Sequence, residues 1–297
     1  TTMRTLFLAL CLLFVSSSAA QDGLKIYISA DMEGLAGVVT GEQLGPTGFE
    51  YSRFRQFMTD EVNAAIWAAK EAGATEILVS DSHGNGQNLL IEQLPEDILV
   101  VRAWPRELGM MHGIDTSFDG AVYIGYHAST SNMEGVRAHT MSSANVTDLQ
   151  LNGVPMTEGS WNAAIAGHFG VPVIMISGDD AAVKEVQSVV GPIEGAVVKW
   201  NHGFHSATTM TPAAGAKVVA DKVRAAVERI DDFEAYVPEG PLVIRLSLKH
   251  YQPVEQLAYL RDVTRVGSHT IEYRATDMVD ASKFLRFVLG YSVSTAP

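Results

Sequence analysis

The chain has 297 residues, 47% of them hydrophobic, and a formal net charge of −13. This length and apolar content suffice for one large globular domain or for two unequal ones. The acidic balance argues against nucleic acids and anionic membrane surfaces as partners, but it does not exclude a small substrate, because binding sites are local.

The N-terminal residues have the pattern of a secretory signal peptide. Arg4 precedes the apolar run LFLALCLLFV, and the following SSSAA places Ser18 and Ala20 at the −3 and −1 positions of a cleavage site. We predict a signal peptide over residues 1–20, cleavage after Ala20, and a periplasmic or secreted protein; a retained membrane anchor is the alternative. The only cysteine, Cys11, lies in this segment. A metal site in the mature chain would therefore be built from His, Asp and Glu.

The mature chain then alternates predicted strands and helices. The strands are KIYISA (Lys25–Ala30), EILVS (Glu76–Ser80), ILVVRA near Val100, AVYIGY (Ala121–Tyr126) and VPVIMIS (Val171–Ser177). Helical periodicity covers Tyr51–Glu71, another helix starts near Asp179, and VTDLQLNGVPM predicts a hairpin that turns at Asn152–Gly153. Because the strands are continuously apolar and separated by helices, we predict an α/β fold, a mostly parallel sheet with helices on both faces.

The pattern changes after about residue 206. We predict, in order, a helix over Pro212–Ile230, a strand over Leu242–Leu248, a helix over Val254–Leu260, a strand around Ile271 and a helix over Val279–Val288. These elements suggest a smaller C-terminal α/β domain over residues 206–297, after a metal-binding catalytic α/β domain over residues 24–205. The segment WNHGFHS, with His202 and His205, is then an interdomain loop and only a weak candidate metal site.

Polar side chains follow several of the predicted strands, where open α/β sheets bind their ligands. Asp31 and Glu33 follow the first strand, His83 follows the second, and His127 follows the fourth. His139 comes soon after, in AHTM, and Glu158 opens the helix after the hairpin. Each of these residues alone has an ordinary explanation as a turn former, a helix cap or a solvated histidine. Together they form a set of ligands suited to zinc.

The motifs around these residues resemble those of the M55 family of D-aminopeptidases. SADMEG, DSHG, GYHA, AHTM and the EG-x-x-N run at Glu158 occur in the family's order, and the resemblance extends from Lys25 to about Tyr291. The signal peptide is a departure from that pattern. The resemblance implies two zinc ions per chain, with Asp31 as a bridging carboxylate and a catalytic His139 that does not bind metal. The remaining ligands that it implies are Glu33, His83, His127 and Glu158.

The resemblance also implies the reaction, an aminopeptidase cleavage of short peptides with an N-terminal D-amino acid such as D-Ala. Two zinc ions about 3.5–4 Å apart can hold a water molecule between them and lower its pKa towards neutrality. The metal-bridging hydroxide would attack the peptide carbonyl, and His139 could stabilise the oxyanion or transfer a proton. Relatives of this kind suggest a ring-like homo-oligomer.

Two other functions fit the same residues. One is a different dinuclear metal hydrolase, such as an amidase or a phosphatase. The other is a periplasmic protein that binds a metal or a solute without catalysis. A pure binding protein needs no extra histidine beside a complete set of ligands, so His139 favours an enzyme.

Overall fold

The computed structural model describes residues 23–292. The predicted signal peptide and its cleavage site lie outside these residues. Within residues 23–292, no helix combines the length and the apolar character needed to pass through a membrane.

The described chain contains twelve strands and six α-helices. In chain order they are β1 (Leu24–Ala30), α1 (Tyr51–Glu71), β2 (Ala74–Asp81), β3 (Leu99–Val101), β4 (Gly120–Tyr126), β5 (Val146–Leu151), β6 (Val154–Pro155), α2 (Glu158–His168), β7 (Val173–Asp179), α3 (Asp180–Val190), β8 (Glu194–Gly203), β9 (Ser206–Thr209), α4 (Pro212–Glu228), β10 (Leu242–Leu248), α5 (Tyr251–Leu257), β11 (Val263–Arg265), β12 (Thr270–Ala275) and α6 (Met278–Gly290).

The larger sheet has seven strands in the order β3–β2–β1–β4–β7–β8–β9, all parallel except β9. Side chains alternate between its two faces. Ile26 and Ile28 pack with α1 and α4 on one face, whereas Tyr27 belongs to the core that contains α2 and α3 on the other. This burial on both faces explains the continuously apolar strands, and it confirms the predicted α/β fold with a mostly parallel sheet.

The second sheet is antiparallel, with the order β11–β12–β10–β5–β6. The predicted hairpin β5–β6 turns at Asn152 and Gly153, whose φ values of 53° and 80° suit a tight two-residue turn. The hairpin precedes residue 206 but belongs to this sheet, whereas β9 and α4 follow residue 206 and pack with the larger sheet. Residue 206, the predicted domain boundary, therefore does not separate the two sheets.

The segment predicted to be an interdomain loop is instead a strand and a turn. His202 lies in β8, where its Nε2 is 2.7 Å from Thr208 Oγ1, and His205 lies in the turn before β9. Neither side chain reaches the other candidate ligands in the described chain. Helix α5 also begins three residues earlier than predicted, at Tyr251, because Pro253 is tolerated within the first turn of a helix.

A close crossing of the chain brings the segment after β1 onto the end of β4. Asp31 N donates to Ile124 O at 2.8 Å, and Gly34 N donates to Gly125 O at 2.7 Å. A Cβ atom on Gly34 would lie only 2.0 Å from Tyr126 O, so only glycine permits this approach. The crossing places the side chains that follow β1 beside those that follow β4.

Candidate metal centre

All six side chains predicted from the sequence meet at the carboxyl end of the larger sheet. The neighbouring strands β2, β1 and β4 end beside one another, and they deliver, respectively, His83, the pair Asp31 and Glu33, and His127. The last two side chains arrive from outside the sheet: His139 lies in the loop between β4 and β5, and Glu158 is the first residue of α2.

The first of two ligand groups consists of Asp31, Glu33 and His83, which offer atoms within 4.8 Å of one another. His83 Nδ1 lies 3.1 Å from Asp31 Oδ1 and 2.8 Å from Glu33 Oε2. All three residues are buried. One imidazole nitrogen therefore faces two carboxylates in a small buried space, a donor set that suits a zinc ion.

The second group consists of His127, His139 and Glu158. His127 Nε2 lies 3.4 Å from Glu158 Oε1, and it is also 3.4 Å from Asp31 Oδ2. His139 Nε2 lies 3.7 Å from the same glutamate oxygen, and its ring stacks on that of His127 with centroids 3.9 Å apart. Because the two oxygens of Asp31 face different groups, this carboxylate is placed to bridge two metal ions.

The three histidines are oriented by backbone carbonyls. His83 Nε2 lies 2.7 Å from Leu44 O, and His127 Nδ1 lies 3.0 Å from Ala128 O. His139 Nδ1 lies 2.8 Å from the carbonyl oxygen of Arg137. Since a carbonyl can only accept, each of these nitrogens carries a proton, and the other nitrogen of each ring is turned towards the carboxylates, where it could bind a metal ion. Metal-binding histidines are typically held in this way.

Several buried atoms of the cluster make no hydrogen bond within the described residues, and this observation tests the fit of a metal. They are Asp31 Oδ2, Glu33 Oε2 and His127 Nε2. Glu33 Oε2 lies close to a nitrogen of His83, and His127 Nε2 lies close to an oxygen of Glu158, but neither contact has the geometry of a hydrogen bond. Buried polar atoms without partners are costly. Cations bound between these oxygens and nitrogens would satisfy them, so the residues fit a zinc pair.

The pKa shifts of the cluster follow from its burial and its crowded charges. Burial raises the pKa of Asp31 to about 7, and the nearby charge of Glu33 adds to the shift. Burial would lower the pKa of His127, but the carboxylates around it, Glu158 above all, raise it to about 10. Burial and the positive charge of His127 lower the pKa of His139. Three buried carboxylates thus need positive charge close by.

Lys199 of β8 stabilises the loop that follows β1. The sequence patterns did not predict this role. Its buried ammonium donates to the backbone carbonyls of Glu33, Leu35 and Val38. Burial lowers the pKa of Lys199 to about 8. The lysine fixes the loop that carries the first two carboxylates. The feature of the sequence that could have indicated a buried role for Lys199 is its position as a charged residue within the apolar run AVVKW.

Two carboxylates hold neighbouring loops and do not join the cluster. Glu61 lies on the apolar face of α1, where its Oε1 accepts from Ala36 N at 3.0 Å. Asp81, in the DSHG motif, accepts from the amides of Asn88 and Leu89 at 2.6 and 2.8 Å. These bonds fix the loops after β1 and β2, so both acids help to position the ligands without belonging to the cluster themselves.

The loop that carries His139 is tightly constrained. The flanking residues Arg137 and Met141 have positive φ values of 56° and 62°, a backbone conformation that non-glycine residues rarely adopt. Met141 N donates to Glu158 Oε1 at 2.6 Å, and Arg137 N donates to Phe204 O in the β8–β9 turn at 3.1 Å. Strain of this kind concentrates at functional sites, since the surrounding contacts must maintain it.

A cavity of about 410 Å³ opens above the cluster. Its wall includes Asp31, Glu33, His83, His139 and Glu158. His127 is not part of the wall, and its side chain is only 1% exposed, whereas that of His139 is 16% exposed. A small ligand in the cavity would therefore touch His139, while His127 stays beneath the surface.

Comparisons with known proteins identify the family of the chain. The M55 peptidase family model, described as D-aminopeptidase, matches residues 24–287. A D-aminopeptidase of Bacillus subtilis (strain 168) is 32% identical over 260 residues, which cover 87% of this chain and 94% of that protein. The solved structure of the Zn-dependent D-aminopeptidase DppA from Bacillus subtilis, described as a self-compartmentalizing protease, matches with a TM-score of 0.85 and 30% identity over 92% of this chain and 100% of that chain. The resemblance of the motifs is thereby confirmed, and the chain belongs to the M55 family of D-aminopeptidases.

Proposed function

We propose that this protein is a zinc-dependent aminopeptidase that removes an N-terminal D-amino acid, such as D-Ala, from short peptides. The observation that carries the proposal is the buried cluster of three carboxylates and three histidines beneath a cavity. Family membership adds the reaction class, and the matched relatives add zinc and the D-amino acid.

Within this proposal, Asp31 would be shared by two zinc ions, since one of its oxygens faces His83 and the other faces His127. Glu33 and His83 would hold one ion, and His127 and Glu158 would hold the other, in accordance with the grouping of the ligand atoms. The chemistry supplied at the site when both ions are bound is a water molecule of lowered pKa and polarisation of the scissile carbonyl. The acidic wall also attracts the ammonium group of a peptide amino terminus.

His139 is proposed as the catalytic residue that does not bind metal. Its side chain reaches the cavity, and its Nδ1 proton is engaged by Arg137 O. Its Nε2 can therefore accept a proton from the attacking water molecule and return it to the leaving amine, as a general acid–base group does. His139 also lies among the possible ligands, so metal content and activity must be measured together to establish its role.

The proposal predicts a marked stereochemical preference. We expect D-Ala-D-Ala to be hydrolysed by the zinc-loaded protein, L-Ala-L-Ala to be hydrolysed far more slowly, and both rates to disappear with a chelator. Side-by-side rates on the two dipeptides provide the measurement. A preference for the L-peptide would contradict the D-specific part of the proposal. Activity that survives complete metal removal would contradict the metal-dependent mechanism.

We further propose that the chain is exported, cleaved after Ala20, and assembled into a ring-like homo-oligomer. The signal-peptide pattern of residues 1–20 supports export. The description of the solved relative as self-compartmentalizing supports assembly. Native mass spectrometry of protein recovered from the host should give subunits that begin at Gln21, in a particle of many subunits. Subunits that retain Leu6–Val15 would contradict cleavage, and monomers would contradict assembly.

A further inference from the structure

The cavity above the candidate metal centre has a second charged feature in its wall. Arg286, on α6, lines the same cavity as Asp31, Glu33 and Glu158. Among the described residues of that wall, it is the only arginine or lysine. A cation at one place in an otherwise acidic wall marks where a negatively charged part of a ligand would be accepted.

Arg286 is held in place by an aromatic ring. Its guanidinium lies 4.6 Å from the ring centroid of Trp104, and the guanidinium of Arg106 lies 4.2 Å from the same centroid. Trp104 Nε1 donates to Gly84 O at 2.7 Å, next to the ligand His83. The stack therefore ties the guanidinium to the loop that carries a metal ligand, so its position relative to the metal centre is fixed.

The hydrogen-bonding capacity of Arg286 is not used within residues 23–292. Its Nε is buried without a hydrogen-bond partner, and no carboxylate of these residues lies within ion-pair distance of its guanidinium. Arg106 on the same ring differs, because it donates to Ser80 Oγ at 2.9 Å and to Asp81 O at 2.7 Å. A guanidinium has five N–H donors in a planar fork that matches a carboxylate, and a buried donor such as this Nε is costly to leave unpaired.

We propose that Arg286 binds the free α-carboxylate of a dipeptide substrate and makes the enzyme prefer the free acid to a dipeptide whose carboxylate is blocked. The inference rests on the proposed function. In a dipeptide, the carboxylate carbon is only two bonds beyond the scissile nitrogen, so a peptide carbonyl at the metal centre places that carboxylate within the same cavity. The volume of about 410 Å³ suits a ligand of this size.

A pair of substrates isolates the contact. D-Ala-D-Ala carries the carboxylate, and D-Ala-D-Ala amide presents the same scissile bond without the negative charge. For the Arg286→Met variant, which keeps an unbranched chain against Trp104, we expect kcat/KM on the free acid to fall about 10- to 100-fold, mainly through KM. On the amide we expect a change of less than about threefold, because no charged hydrogen bond is lost.

Two further variants serve as controls. Arg286→Lys restores the charge without the planar fork, so it should recover part of the preference for the free acid. Lys283 lies on the same helix, and Lys283→Gln breaks only its surface ion pair with Glu107, in which Nζ and Oε1 are 2.8 Å apart. The rates on both substrates should therefore equal those of the unmodified protein. Equal losses on acid and amide in Arg286→Met, or no loss on the acid, would overturn the proposal.

Calorimetric binding separates this inference from the proposed function. If the zinc-loaded protein hydrolyses neither substrate, the proposed function fails, and titration with D-Ala-D-Ala and with its amide still decides the role of Arg286. We expect the free acid to bind at least about tenfold more tightly than the amide, and Arg286→Met to abolish that difference. Equal affinities for acid and amide in the unmodified protein would overturn it.

Discussion

Replacing His127 or Glu158 with alanine is expected to lower the zinc content of the protein and to reduce turnover by about 10³-fold or more. Each side chain offers an atom within 3.4 Å of the other, and polarisation by a metal ion contributes several kcal/mol to such reactions. Stability should fall as well, because metal that binds only the folded state stabilises it. At a free concentration a hundred times its Kd, one ion contributes about 2.7 kcal/mol.

Elemental analysis, thermal melting and peptide hydrolysis, run on the same samples, provide the measurement. His168→Ala is a matched control, since His168 ends the same helix that Glu158 begins and lies exposed outside the cluster. It should change none of the three values. Glu33→Gln should weaken the binding of only one of the two zinc ions, because Asp31 remains available to hold the other. A His127→Ala protein that retains two zinc ions would contradict its assignment as a ligand.

The His139→Ala variant is expected to separate catalysis from metal binding. If His139 acts from the cavity wall, zinc content and melting should stay near those of the unmodified protein. Turnover should drop by roughly 10²-fold or more, the usual effect of losing a proton-transfer or oxyanion partner. The reason is its position: the ring is partly exposed in the cavity, and its Nε2 lies 3.7 Å from Glu158, farther than that of His127.

Two outcomes would revise that role. Loss of zinc in His139→Ala would place the residue in the ligand set with His127 and Glu158, a possibility that the grouping of their atoms allows. Full activity with full zinc content would leave His139 without a role in the reaction. Thr140→Ser is a suitable control in the same loop, because it keeps the hydroxyl that accepts from Thr130 N, and it should affect neither property.

The parts of the site at strand ends were predictable from the sequence. Asp31, His83 and His127 each follow a continuous apolar run, and such runs form parallel strands whose carboxyl ends meet at one edge. Glu158 and His139 do not follow a strand, and short-range patterns only give them ordinary explanations. Their place in the site was suggested by their chemistry together with that of the strand-end residues, and the family motifs added their roles.

The supporting residues were not predictable because their partners are distant in the chain. Lys199 reaches carbonyls more than 150 residues away, and Arg286 joins the cavity only because α6 packs beside α2. Strand β8 was missed since polar residues interrupt its apolar run. The boundary at residue 206 failed to separate the sheets because pairing of β5 with β10 is a long-range choice that local patterns do not encode.

The metal content of the purified protein tests the central claim most directly. Five of the six side chains gathered at one sheet edge, all but His139, are expected to hold two metal ions, and several of their buried ligand atoms lack hydrogen-bond partners within the described chain. Elemental analysis of active protein should therefore give about two zinc ions per chain, and D-Ala-D-Ala hydrolysis should be lost with them on chelation and regained when zinc is restored. Fully active protein that contains no transition metal would contradict the account.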